Sequence, residues 1–262
     1  MKILIINSSP RKAGNTARLL ELMNKILSEE ADRFHLAEEI EILYVWLPEK
    51  RIEFCRGCRC CFEKGFCPIK DDVSEIKEQM LQSDILIFAS PVYLEDVNGI
   101  MKNLLDRLAY YCHRPAFYDK YAAVITTSGA GSSNHSQNTL KTALTAWGYH
   151  LVTAGKFKMG AAMTEEQVEE QYTKRLSSMA DRLMQAWKKK AFRHPAFLSL
   201  VSFQIMKKYY GDCDRVSETD RLYWEQNGWF DPHTCYYAEC SCNPFRLLSA
   251  RVAGAVLAKI FL

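Results

Sequence analysis

Two groups of side chains in this chain have types and spacings that can do chemistry. The first is Ser8-Ser9-Pro10-Arg11-Lys12-Ala13-Gly14-Asn15-Thr16, which sits between the apolar run Ile3-Leu4-Ile5-Ile6 and an amphipathic helix pattern. A buried strand feeding such a loop into a helix N-terminus makes an anion cradle, because backbone N–H groups and the helix dipole converge on one point. Ser8, Ser9, Asn15 and Thr16 add side-chain donors. Arg11 offers a guanidinium fork to a phosphate, and Lys12 a second positive charge. The second group is Cys55-x2-Cys58-x2-Cys61-x5-Cys67. That spacing suits a [4Fe–4S] cluster, with three thiolates from one tight turn and a fourth from nearby. It is equally compatible with reduced thiols in a loop, Cys60 being an extra one. It fits zinc less well, since structural zinc pairs two separated Cys-x2–4-Cys knuckles.

The remaining reactive residues fall into no such pattern. Cys235, Cys240 and Cys242 lack a standard ligand spacing. The six histidines form no HExxH or His-x3-His pair, and His113 and His135 read as ordinary core or surface residues. Gly129-Ala130-Gly131 lacks the third glycine of a dinucleotide fingerprint.

The elements that must position these groups follow from hydrophobic periodicity. Leu19, Leu20, Leu22, Met23, Ile26 and Leu27 predict a helix over residues 15–31. Strands are expected over residues 41–45, 84–89, 121–127 and 150–157. Helices are expected from Asp71-Asp72 to about Gln82, from Val97 to Leu108, from the loop 128–133 to about Trp147, and through Val168 to Trp187. Five strand–helix alternations predict an α/β fold with a doubly wound, five-stranded parallel sheet of order 2-1-3-4-5. Ligands bind such sheets at the carboxyl ends of the strands beside the switch point, where the loops 8–16, 90–93 and 128–133 would meet. Residues 1–188 are expected to form this domain, with 48–70 as a cysteine-rich insertion loop. Residues 189–262 are expected to form a helical, aromatic-rich extension packed on the sheet domain or on a partner subunit.

The composition narrows the class of function. With 262 residues, 48% hydrophobic and 25% charged, the chain reads as a soluble globular protein. A net charge of +3 spread along the chain argues against nucleic-acid binding, and Lys188-Lys189-Lys190 reads as a solvated helix end. No run reaches the roughly 20 uncharged residues of a membrane span. Residues 245–262 come nearest but carry Arg246, Arg251 and Lys259, so they read as a helix packed against protein with its basic side chains reaching outward. Ten cysteines without a secretory signal indicate a reducing, cytoplasmic location.

The Ser-Ser-Pro-Arg-Lys-Ala-Gly-Asn-Thr loop resembles that of the NADPH-dependent FMN reductase family, flavodoxin-like flavoproteins that include the iron–sulfur flavoproteins. The resemblance extends to Cys55-Arg-Gly-Cys58 running on to Cys67-Pro-Ile-Lys-Asp-Asp72, to Ser90-Pro91-Val92-Tyr93 with Lys102 and Asp106-Arg107, and to Thr127-Ser128-Gly129. It implies that Ser9, Arg11, Asn15 and Thr16 hold the FMN phosphate. Pro91, Val92 and Tyr93 would line the isoalloxazine, and Ser128, Gly129, Ala130 and Gly131 would close its other edge. Cys55, Cys58, Cys61 and Cys67 match the family's [4Fe–4S] motif. The implied activity takes electrons from NAD(P)H, a co-substrate sharing the flavin cleft, through FMN to a small acceptor such as a quinone or free flavin. The alternative is an iron–sulfur flavoprotein carrier exchanging electrons with a ferredoxin-like partner. A homodimer is expected in either case. Glu95 and Asp96 stand where the family commonly has small residues, so either they face solvent or the second loop is built differently.

Overall fold

The computed structural model describes residues 1–35, 40–129, 134–160, 163–212 and 216–261. Its strands are β1 (Lys2–Asn7), β2 (Glu41–Trp46), β3 (Ile85–Tyr93), β4 (Asp96–Val97), β5 (Tyr121–Ser128) and β6 (His150–Lys158). Its helices are α1 (Asn15–Arg33), α2 (Cys60–Glu63), α3 (Val73–Gln82), α4 (Gly99–Arg107), α5 (Asn134–Ala146), α6 (Glu165–Lys188), α7 (Phe197–Asp212), α8 (Glu218–Gln226) and α9 (Pro244–Phe261). Five strands pair in parallel in the order β2-β1-β3-β5-β6, and β4 folds back antiparallel on the end of β3. The expected order 2-1-3-4-5 therefore holds for the parallel strands, with β4 added to the count.

Continuous apolar runs are explained by burial of the sheet on both faces. Ile3, Ile5, Ile85, Ile87, Ala123 and Ile125 pack toward α1 and α6, whereas Leu4, Ile6, Leu86, Phe88, Ala122 and Val124 pack toward α3, α4 and α5. Successive strand side chains point to opposite faces, so a sheet covered on both sides tolerates no polar alternation. All of these residues are excluded from solvent. Each large aliphatic one contributes about 1.5–3 kcal/mol by leaving water.

One boundary differs in a way that matters for the site. The expected third strand stops at Ala89, yet β3 continues through Ser90 and Pro91 to Tyr93. Proline inside a run reads as a loop because it cannot donate to a ladder. Here β1 has already ended, at Asn7 opposite Ala89, while β5 pairs on with β3 as far as Pro91 opposite Thr127. Pro91 thus stands where one side of the strand is already open. Val97, expected in the following helix, lies in β4.

Beyond α6, the aromatic residues form their own core. Phe203, Tyr210, Trp224 and Trp229 are buried, with Tyr118, Tyr223, Phe230, Tyr236 and Tyr237 around them. Their polar atoms find partners: Trp224 Nε1 donates to the His113 carbonyl at 2.8 Å, and the Tyr223 hydroxyl to the Pro115 carbonyl at 2.8 Å. Buried indoles and phenols need such partners. These bonds dock the helical part onto residues 113–118, on the same side of the molecule as the cysteine-rich segment.

Candidate functional site

The loop after β1 is stitched to the ends of the neighbouring strands. Ser8 donates its N–H to the Ala89 carbonyl at 3.0 Å and its hydroxyl to the same oxygen at 3.2 Å. Asn98 caps α4 through its side-chain oxygen and donates its amide N–H to the Ser8 carbonyl at 2.5 Å. The Thr16 and Thr127 hydroxyls are 2.7 Å apart, joining the start of α1 to the end of β5. Asn15 Nδ2 reaches the Gly160 carbonyl, just past β6, at 2.8 Å. From the other side, Trp46 Nε1 donates to the Ser9 carbonyl at 2.6 Å. The carboxyl ends of all five parallel strands therefore converge on this one loop.

This stitching assigns the loop's polar groups. The hydroxyl of Ser9, which is buried, lies 3.4 Å from both the N–H and the carbonyl of Arg11, inside the loop. The side chains of Asn15 and Thr16 are likewise committed to protein partners. Lys12 is turned away, paired with Glu49 at 2.6 Å and lying over the Trp46 ring at 4.6 Å. Its expected role as a second charge on an anion is not what the structure displays. Arg11 is exposed and makes no salt bridge among the described residues. Gly14 is the N-cap residue of α1 and supplies no side-chain cap, so the first-turn N–H groups of Asn15, Thr16 and Ala17 have neither a helical carbonyl nor a cap to accept them. Gly14 lets the loop close tightly on Arg11, since a Cβ there would lie 3.0 Å from Arg11 Cβ and 3.2 Å from the Arg11 carbonyl. An open cleft of about 490 Å³ lies against the loop, between Arg11, Gly14, Asn15 and Arg18 on one side and residues 163–166 on the other.

The second loop is a tight hairpin. Leu94 and Glu95, with φ of 48° and 65°, connect Tyr93 to its ladder partner Asp96. Two left-handed residues in a two-residue turn match the hairpin twist, a position usually given to Asn-Gly, and non-glycine residues there are strained. Pro91 is buried, Val92 half-buried and Tyr93 exposed. The question raised by Glu95 and Asp96 is answered by their placement. Glu95 is exposed, while Asp96 accepts from the Val97 N–H at 2.7 Å and faces His135 at 3.4 Å. In the third loop Ser128 is buried and Gly129 exposed, and a Cβ on Gly129 would meet nothing within 4 Å. Ala130 and Gly131 lie outside the described residues.

The cysteine segment is built differently. Its two ends are clamped by a buried ion pair: Arg107 Nη2 meets Asp71 Oδ1 at 2.9 Å, and Nη1 meets Oδ2. The same carboxylate accepts the N–H groups of Glu53 at 2.8 Å and Val73 at 3.2 Å, while Arg107 Nη1 also reaches the Glu53 carbonyl at 2.7 Å. Burial alone would raise the Asp71 carboxyl. The Arg107 guanidinium and the two N–H donors outweigh it and hold the group below the usual carboxylate range. Asp71 and Arg107 belong to two motifs separately noted in the sequence, and the fold makes them one interaction.

Between these ends, Cys55, Cys58, Cys61 and Cys67 line one cavity of about 350 Å³, walled by Phe62, Pro68, Ile69, Arg107 and Tyr110. The thiols surround this space rather than close on a point, and among the described residues no three ligating groups converge as a single metal ion requires. Cys60 lies outside the lining and pairs with Cys58. The Cys60 N–H and thiol both stabilise the Cys58 thiolate, lowering Cys58, and the same thiol contact raises Cys60. Burial raises Cys61.

The segment's centre is held from far along the chain. The Thr219 hydroxyl on α8 donates to the Glu63 carbonyl at 2.7 Å. Buried Asp220 is ion-paired with Arg114, its Oδ1 lying 3.0 Å from Nε, and faces His113 Nδ1 at 2.9 Å. Arg114 in turn donates to the Cys61 carbonyl, and the His113 ring lies 4.6 Å from that of Phe62. Sequence reasoning missed Asp220, Thr219 and Trp46, which carry no local motif. Asn98 was findable, because Asn immediately before a helical pattern is an N-cap signature.

Comparison with known proteins agrees with this architecture. The sequence profile of the NADPH-dependent FMN reductase family matches residues 1–164. An iron–sulfur flavoprotein of Archaeoglobus fulgidus is 28% identical over 229 residues, covering 87% of this chain and 99% of that protein. A Bacillus subtilis protein whose name proposes an NAD(P)H-dependent FMN-containing oxidoreductase is 34% identical over 137 residues, covering 49% of this chain and 67% of its own. Among solved structures, an NADH:FMN oxidoreductase in its apo form aligns with a TM-score of 0.52 and 19% identity, over 71% of this chain and 89% of that one, a likeness of fold. With the family profile covering the whole sheet and all three loops at its carboxyl edge, the chain belongs to the NADPH-dependent FMN reductase family and is an FMN-dependent oxidoreductase.

Proposed function

We propose that the loop 8–16 holds the FMN phosphate and that the protein passes electrons from NAD(P)H through FMN to a small acceptor. The observation carrying this reading is the uncapped start of α1 beside the exposed guanidinium of Arg11. The first-turn N–H groups would bind the phosphate, with Arg11 closing over it from solvent. Ser9, Asn15 and Thr16 would act mainly as positioning residues, because their side chains hold the loop in place. Pro91, Val92 and Tyr93 would flank the ring on one edge, and Ser128 and Gly129, with Ala130 and Gly131, on the other. The open space before Gly129 fits close approach of a flat group. When bound, FMN supplies exchange of electrons with a nicotinamide and with an acceptor.

The test is titration of the purified protein with FMN, followed by flavin fluorescence, together with steady-state oxidation of NADPH and NADH. Losing a charge-assisted fork should weaken FMN by about 10- to 100-fold in Arg11→Ala. Unchanged affinity would remove the phosphate assignment. Nicotinamide oxidation no faster than by free FMN would remove the reductase assignment.

A second reading is favoured by the cavity that all four motif cysteines share. In it Cys55, Cys58, Cys61 and Cys67 ligate a [4Fe–4S] cluster, and the protein exchanges electrons with a ferredoxin-like partner. The donor set and the apolar walls of Phe62, Pro68 and Ile69 fit such a group. Iron and sulfide assay after anaerobic purification decides it, and stoichiometric absence of both would end that reading.

A further inference from the structure

Helix α9 uses only one of its two apolar faces against the protein. Ala250, Gly254 and Ala258, four residues apart, lie on the face against α7, where Ala250 and Ala258 are buried. A Cβ on Gly254 would stand 2.5 Å from Gln204 Cβ and 3.2 Å from the Val201 carbonyl, so the two helices meet at a distance that only small residues allow. At about 100° per residue, the opposite face carries Phe245, Leu248, Val252, Val256 and Ile260. All five are more than half exposed, Phe245 at 80% and Ile260 at 70%. The helix packs against protein, as its sequence suggests, but through its small residues with Leu247 and Leu257 partly buried beside them, and five of its large apolar side chains stay outside.

The patch extends beyond the helix. Arg246 donates to the Pro195 carbonyl at 2.9 Å, and Ser241 N–H to the Arg193 carbonyl at 2.8 Å, so the start of α9 adjoins the start of α7. There Leu198 is 75% exposed and Phe197 is also open. Exposed Lys189 and Lys190 lie at the end of α6, on the segment that leads into α7. Arg246 and Lys259 are exposed along α9, and that helix contains no acidic residue. Glu239, on the segment leading into α9, is ion-paired with Arg193 at 3.2 Å.

We infer that this face docks on an anionic lipid surface. Large apolar side chains bordered by lysine and arginine, with no carboxylate on the helix, complement a layer of negative headgroups over hydrocarbon. A second copy of this chain is a poorer complement. Antiparallel apposition of two α9 helices about a two-fold axis brings Arg246 of one toward Lys259 of the other, and the helix has no acid to neutralise them. Docking leaves α9 in the plane of the surface, since no helix among the described residues is long and apolar enough to cross a membrane.

The experiment is co-sedimentation of the full chain with vesicles of phosphatidylcholine alone and of equimolar phosphatidylcholine and phosphatidylglycerol. Binding to the mixed vesicles, weakened in about 1 M NaCl, is expected, with at least about tenfold less on the neutral ones. Val252→Glu/Val256→Glu alters two exposed positions and should weaken binding at least about tenfold while the circular dichroism spectrum stays unchanged. Lys189→Gln/Lys190→Gln, which leaves the apolar face intact, should weaken it by about tenfold or more. Equal binding to both vesicles, no binding, or binding indifferent to these variants overturns the inference. So does light scattering that finds an oligomer which the double glutamate variant converts to monomer, because the face would then belong to a second copy.

Discussion

The loop 8–16 and the cysteine segment both gather polar groups around a space, but they are held in opposite ways. The first is fastened by short bonds from the ends of neighbouring strands, and its polar side chains turn inward to fix the backbone. What it offers outward is main-chain N–H and one arginine. The second offers side-chain thiols and is fastened only at its ends and middle. The middle is held by Arg114 on the Cys61 carbonyl and by Thr219, 156 residues from the Glu63 it holds. A backbone site can be specified by a short motif because the sheet carries its geometry. A side-chain site on an irregular segment needs remote residues to define its shape.

Removing the end clamp gives the largest contrast. Asp71→Asn leaves Arg107 buried without its counter-charge and should destabilise the fold by about 3–5 kcal/mol in urea unfolding. The pH dependence follows from the depressed Asp71 carboxyl. Its stabilisation is present above the ordinary carboxylate value of about 3.9 and is lost as pH falls through the lower folded value. The difference between wild type and Asp71→Asn should therefore be constant from about pH 5 to 7 and shrink below about pH 4. A difference that grows on acidification would contradict the assigned role.

A smaller effect separates the two regions directly. Asp220→Asn loosens the brace through Arg114 and His113, and should raise the rate at which Cys61 reacts with a disulfide reagent by about tenfold. FMN affinity should change by less than about twofold, because none of the strand-end bonds is touched. If FMN binding fell as far as thiol protection, the two regions would be one cooperative unit and the contrast would fail.

The smallest effect lies within the cysteine segment. With its thiolate stabilised by Cys60, Cys58 should be alkylated by iodoacetamide before Cys60 and Cys61 near neutral pH, as read by peptide mass spectrometry. Faster labelling of Cys61 would show that burial does not govern that thiol.

Much of the fold was legible in the chain itself. Ile3–Ile6 and Ile85–Phe88 announce buried parallel strands because no polar residue interrupts them, and the alternation with helices limits their order. The boundary at Ser90–Tyr93 was not legible. Proline argues for a loop in any local reading, and only the early end of β1 makes it tolerable in β3. Nor did Leu94-Glu95 look like a hairpin, since the preferred turn residues are absent. In the site, the type and place of the phosphate loop could be read, but the inward commitment of Asn15 and Thr16 and the pairing of Lys12 with Glu49 could not. A donor's chemistry is local, whereas its partner is chosen by whatever the fold brings within 3 Å.

The linear order of residues by itself determined the sheet, the loops at its carboxyl edge and the family to which the chain belongs. These depend on periodicity and on contiguous motifs. Tertiary structure alone decided that Asp71 pairs with Arg107, that Asp220 braces the cysteine loop, and which face of α9 remains open. Each of those outcomes depends on distances between segments far apart in the chain, and such distances are set by the packing of the whole molecule.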